Sequence, residues 1–170
     1  MANESKNLPI VKAEDLKNAD HDDYAWDYLF NFTDKYFEMI SNDPQVLRDF
    51  NDSQLVLLAY NYLYGELVNG GFIQLINNRN AYAFESPFPE IMQSWGAVKT
   101  VEIVDKAKVI FEKHKEELLR DKTEAEFSEL YKKITDFEPL EEEFYQCMDE
   151  ETKIIKKYVK EHVNDFATVV

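Results

Sequence analysis

Glu66, Asn69, Gln74 and Asn78 stand out because they interrupt an otherwise apolar run, Ser53 to Asn78, SQLVLLAYNYLYGELVNGGFIQLINN. A carboxylate in such surroundings can act as an acid or base once burial lifts its pKa, and nearby amides can orient a small ligand. The same groups can instead pair with backbone atoms that a chain corner exposes, since buried polar groups require partners. No nucleophile with an adjacent base accompanies them, so the structural role is the stronger reading. No catalytic residue is assigned, and an enzyme is disfavoured. The alternative, a small-ligand or enzymatic site centred on Glu66 and Gln74, stays open.

Other chemistries find less support. Neither His21, His114 nor His162 has Glu three residues before it, and H-E-x-x-H and C-x-x-C are absent. No metal ligand and no cofactor is expected. Gly70-Gly71 follows a helical run and lacks the Lys-Ser/Thr of a phosphate loop. Cys147 sits among acidic residues, which disfavours a reactive thiolate, and one cysteine forms no internal disulfide.

Charge is the second signal. Asp and Glu number 34 against 19 Lys and Arg, a formal net charge of -15. Such a chain repels nucleic acid and anionic membranes and attracts basic partners, although acidity can also serve solubility alone. The stretch Asp136 to Glu151 holds eight carboxylates and no cation. Glu138, Glu141, Glu142, Glu143, Asp149 and Glu150 are the candidate partner-binding surface, with Asp15, Asp20, Asp22 and Asp23 as additions. The lysines from Lys153 to Lys160 are expected to pair with neighbouring Glu residues.

The elements that position these groups read as helices throughout. Leu55 to Val68 is apolar on nearly every face, which predicts a buried central helix over Ser53–Val68. Asn51-Asp52-Ser53 caps it, and Asn69-Gly70-Gly71 predicts an elbow with positive φ, followed by a returning helix. Tyr24 to Ser41 carries two stripes, Trp26/Leu29/Phe30/Thr33/Phe37/Ile40 and Tyr28/Phe32/Tyr36/Met39. Two stripes fit a helix sandwiched between layers; the second, if exposed, marks a homodimer face. A short helix ends at Trp95-Gly96, and a long one runs from Ala97 to about Arg120. Thr123 and Glu126 form a capping box for the next. The acidic stretch and a basic amphipathic segment, Thr152 to Phe166, complete the chain. The expectation is an all-α fold of about seven or eight helices. Residues 1–20 read as a polar leader and 21–170 as one domain. Met1 to Asp20 has no apolar core of signal-peptide type, which with the lone cysteine suggests a cytoplasmic protein.

The motif Glu66-x-x-Asn69-Gly70-Gly71-Phe72-x-Gln74, with Asn78 four residues on, resembles the signature of the bacterial DNA-mimic-protein-like family, otherwise a domain of unknown function. The likeness covers roughly residues 50–165 and continues through Trp95-Gly96-Ala97, Ala107, Phe137, Leu140, Phe144-Tyr145 and Tyr158-Val159. This chain departs from it at Leu75, where an aromatic is expected, and in the loop Arg79 to Pro87. The resemblance implies an all-helical fold and, for the family's namesake, acidic groups that stand in for DNA phosphates; on that pattern this chain's partner is a basic DNA-binding protein. A domain this long spans roughly 40 Å, over which duplex DNA carries on the order of 24 charges. A charge of -15 approaches that density only where it is clustered.

Overall fold

Val56, Leu57, Tyr60, Leu63, Leu67, Leu75 and Ile76 lie in one helix and have no exposed surface. That helix is the axis of an all-α domain. The computed structural model describes residues 7–170. Among them, in chain order, are β1 (Ile10–Val11), α1 (Ala13–Ala19), α2 (Ala25–Asn42), α3 (Asp52–Asn77), α4 (Phe88–Trp95), α5 (Val98–Lys113), α6 (Lys115–Leu119), α7 (Glu124–Lys133), α8 (Glu138–Glu161) and β2 (Thr168–Val169). Full burial of each large apolar side chain of α3 contributes about 1.5–3 kcal/mol, far more than helix propensity does.

The helix ends follow from the residues there. Asn51 accepts from the Gln54 amide at 2.8 Å while Gln54 returns a bond to the Asn51 N–H at 3.0 Å. Thr123 and Glu126 form the same reciprocal box at α7. Gly96, left-handed at φ 94, closes α4.

Both stripes of α2 face inward. Trp26 stacks on Tyr60 of α3 with ring centroids 5.5 Å apart, and the Tyr36 hydroxyl donates to the Phe166 carbonyl at 2.8 Å. Tyr28, Phe32 and Tyr36 are core residues and Met39 packs against them. The stripe Tyr28/Phe32/Tyr36/Met39 is therefore an internal face, and the ground for reading it as a homodimer surface falls away.

Three features differ from the sequence reading. The helix expected from Ala97 to Arg120 breaks at His114, which lets α6 pack on α3 with Leu118 buried. The acidic and basic stretches, distinct in composition, form one helix, α8, with Pro139 in its first turn. The polar leader, from residue 7 onward, contributes structure: β1 pairs in parallel with β2, Ile10 opposite Thr168 and Val11 opposite Val169. Val11 and Leu16 of this segment are buried. Its residues 1–6 lie outside the described ones. Among the described residues no helix is long and apolar enough to cross a membrane.

Candidate functional site: the α3 elbow and two acidic faces

Gly71 adopts φ 74 and ψ -169, a conformation open essentially to glycine alone, and it bends α3 into two arms. A side chain there would also run into the Glu141 carboxylate, and one on Gly70 would run into Gln74. Gly71 is thus required by φ as well as by close approach, and Gly70 by close approach alone. Distant residues serve the backbone at the bend. Glu141 Oε1 accepts from the Phe72 N–H at 2.8 Å. The Tyr145 and Tyr131 hydroxyls donate to the Leu67 and Gly70 carbonyls, each at 2.8 Å. The Phe72 ring is buried and stacks on Phe137 and Phe84. Burial pushes the Glu141 carboxyl above its usual range, against the opposing effect of the Phe72 amide.

Glu66 ties the two arms together. Its carboxylate accepts from Gln74 Nε2 at 2.7 Å, from Asn78 Nδ2 at 3.0 and 3.1 Å, and from Asn80 Nδ2 at 3.2 Å. Both oxygens are occupied by amide donors, so this carboxylate is engaged in holding the bend. Asn69 is exposed, and among the described residues no side-chain bond of it joins the network. Sequence reasoning missed Asn80, Tyr131, Tyr145 and the inward role of Glu141. Only Asn80 had a local signal, an amide in the loop just past the second arm.

The six candidate acids of α8 do not form one surface. Glu138, Glu142, Glu143, Asp149 and Glu150 are exposed; Glu141 is turned into the elbow, which corrects its assignment. Glu143 lies 3.4 Å from Lys106 and Glu150 lies 3.2 Å from Lys153, while Glu142 accepts from Gln146 at 3.4 Å. Glu151 is buried and accepts from the Thr100 amide and hydroxyl, each at 2.9 Å, in the first turn of α5. Asp20 is likewise committed. Lys156 meets it at 3.0 Å and Lys160 contacts it too. These two lysines hold its carboxyl below the usual carboxylate range. So Lys153 pairs with a neighbouring Glu as expected, but Lys156 and Lys160 reach across to Asp20. Asp15, Asp22 and Asp23 are exposed.

A second acidic face went unnoticed in the sequence. Asp27, Asp34 and Glu38 of α2, with Asp15 of α1, line a groove of about 570 Å³. Their spacing of seven and four residues along α2 was the available signal, masked by the aromatic stripes between them. Asp23 and Asp149 line a smaller hollow beside Tyr24, which joins the α2 side to the α8 side. The Tyr24 hydroxyl is pushed up by burial first, then by Asp27 and Asp149. Among the described residues no group of three or more His, Cys, Asp or Glu is placed to hold a metal ion.

A family model described as DMP19-like protein matches residues 48–162, a span that contains the whole elbow and α8. The chain is also 26% identical over 145 residues to the DNA mimic protein DMP19 of Neisseria meningitidis serogroup B (strain ATCC BAA-335 / MC58), covering 83% of this chain and 87% of that protein. With the elbow motif intact and more than half of its length matched, the chain belongs to the DMP19-like protein family.

Proposed function

We propose that this protein is a non-enzymatic DNA mimic, which places exposed carboxylates against the basic surface of a DNA-binding protein. One observation carries the reading: a member of this family presents five exposed carboxylates along one α-helix, Glu138, Glu142, Glu143, Asp149 and Glu150. Twelve residues of helix span about 18 Å. Duplex DNA of that length carries on the order of 11 charges, of which a protein on one side meets about half. Five carboxylates approach that density once a partner's cations displace Lys106 from Glu143 and Lys153 from Glu150.

The action is competitive. Lysine and arginine side chains that would contact phosphate pair with carboxylates instead, and release their counterions on doing so. Affinity therefore falls with salt, with a slope of log K against log salt no steeper than about 4.5, the value for five phosphate contacts on B-DNA. The commitment of both Glu66 oxygens to amide donors, and of Glu141 Oε1 to the Phe72 N–H, favours this reading over an acid–base site at the elbow. A cytoplasmic location accords with a partner that works on DNA. The test is capture of partners from the cell's own extract on immobilised protein at low and high salt. Recovery of DNA-binding proteins that added DNA or high salt releases is the expected result. Recovery of none would overturn the reading.

A further inference from the structure

The groove lined by Asp15, Asp27, Asp34 and Glu38 differs from the α8 row in having an apolar floor. Ile10 and Val170 are among the most exposed large apolar residues of the chain, at 63% and 67%, and both line it together with Phe30. Their exposure is fixed by the backbone. Successive residues of a strand point to opposite sides, and Val11 points inward, so Ile10 must point out. Val170 is held beside it by bonds from its own N–H to the Val11 carbonyl at 3.0 Å and from the Ala13 N–H to its carbonyl at 2.8 Å. Phe30 is stacked on Trp26 with centroids 5.4 Å apart. The floor is therefore built from three separate stretches of the chain.

The rim is unequally charged. Four carboxylates face two lysines, Lys12 and Lys35. Lys35 is paired with Glu38 at 3.2 Å, and Asp27 with His21 at 3.0 Å. Among the described residues no ion pair engages Asp15 or Asp34. An apolar floor under a rim of net negative charge complements one kind of side chain above others, a cation on a long aliphatic stem. Its volume, about 570 Å³, is in the range that encloses several such groups.

We propose that this groove receives a segment of the DNA-binding partner in which arginine or lysine alternates with apolar residues. The inference rests on the DNA-mimic reading and adds to it a second contact of different chemistry. The α8 row meets side chains that touch phosphates. The groove takes side chains that combine a cation with apolar contact.

Two short peptides serve as probes, one with arginine alternating with leucine and one with arginine alternating with serine. Each is titrated into isotope-labelled full-length protein, and binding is followed by amide shifts. The leucine peptide is expected to bind about tenfold more tightly, with shifts centred on residues 10–15, 27–38 and 170. The double variant Asp34→Asn, Glu38→Gln weakens both peptides about tenfold. Ile10→Ser removes the difference between them. All three residues are exposed, so an unchanged melting temperature is expected for each variant. Equal affinities for the two peptides would overturn the inference, as would shifts confined to α8, or a self-association that Ile10→Ser abolishes. The DNA-mimic reading fails separately, by recovery of no DNA-binding protein from extract. The groove alone fails if recovered partners bind the Asp34→Asn, Glu38→Gln protein as tightly as the unaltered one.

Discussion

Glu141 Oε1 stands 2.8 Å from the amide nitrogen of Phe72, sixty-nine residues earlier in the chain. A carboxylate counted from sequence as surface charge thus serves as the cap of a helix arm in another part of the fold. Removing it leaves a buried N–H unpaired, at a cost of about 1–3 kcal/mol. Glutamine keeps an acceptor and sheds a half-buried charge. Glu141→Ala should therefore destabilise by about that amount in urea titration, while Glu141→Gln should be neutral or slightly stabilising at pH 7. Equal losses in both variants would contradict the capping role.

The same residue makes a pH prediction of definite sign. The folded-state pKa of Glu141 is raised above 4.5 by burial, so between that value and the raised one the native state holds more proton than the unfolded. Its contribution is complete below 4.5 and is lost as pH rises through the folded value. Asp20 behaves oppositely: its folded pKa is lowered below 3.8, so its stabilisation is present above 3.8 and lost as pH falls through the folded value. Glu141→Gln should flatten the stability profile only on the side above 4.5. Asp20→Asn should flatten it only at the acid end, by about 1 kcal/mol or less because the pair is partly exposed.

Gly71→Ala should cost more than Gly70→Ala. The first pays about 1–3 kcal/mol for a forbidden backbone conformation and also displaces Glu141. The second meets only the Gln74 side chain, which can swing away at the expense of its bond to Glu66. Thermal melts of the two variants decide the order.

Glu66→Ala should lower stability by about 1–2 kcal/mol, by leaving three side-chain amides without their acceptor. Partner capture through α8 should survive in whatever fraction stays folded. Neutralising Glu142, Glu143 and Glu150 together should do the reverse, with little change in melting temperature and a shallower salt dependence of capture. Loss of capture in Glu66→Ala at full folding would return the elbow to consideration as a functional site.

The central helix, its caps and the bend at the glycines were legible because their causes are local: an all-round apolar run, Asn51 with Gln54, and a Gly pair. The motif's purpose was only half legible. Glu66, Gln74 and Asn78 are close enough along one element to be read together, whereas Tyr131, Tyr145 and Glu141 arrive from α7 and α8 and carry no mark of their destination. Charge was the least legible feature. Glu141, Glu151 and Asp20 are identical in composition to their exposed neighbours, and only the packed fold separates carboxylates that bind their own chain from those that face outward. The α2 acids Asp27, Asp34 and Glu38 were hard to read for a different reason: they are interleaved with two aromatic stripes that dominate the pattern of that helix.

The groups that support the bend of α3 come from sequence positions sixty-one to seventy-eight residues downstream. Contacts of that sequence separation are expected to form late in assembly. The first arm can form early from its own cap and apolar contacts, with the second arm joining at its final angle when α7 and α8 dock. Substitutions at Tyr131, Glu141 or Tyr145 should accordingly speed unfolding and leave the folding rate nearly unchanged. The bend would then act as a latch on the lifetime of the native state.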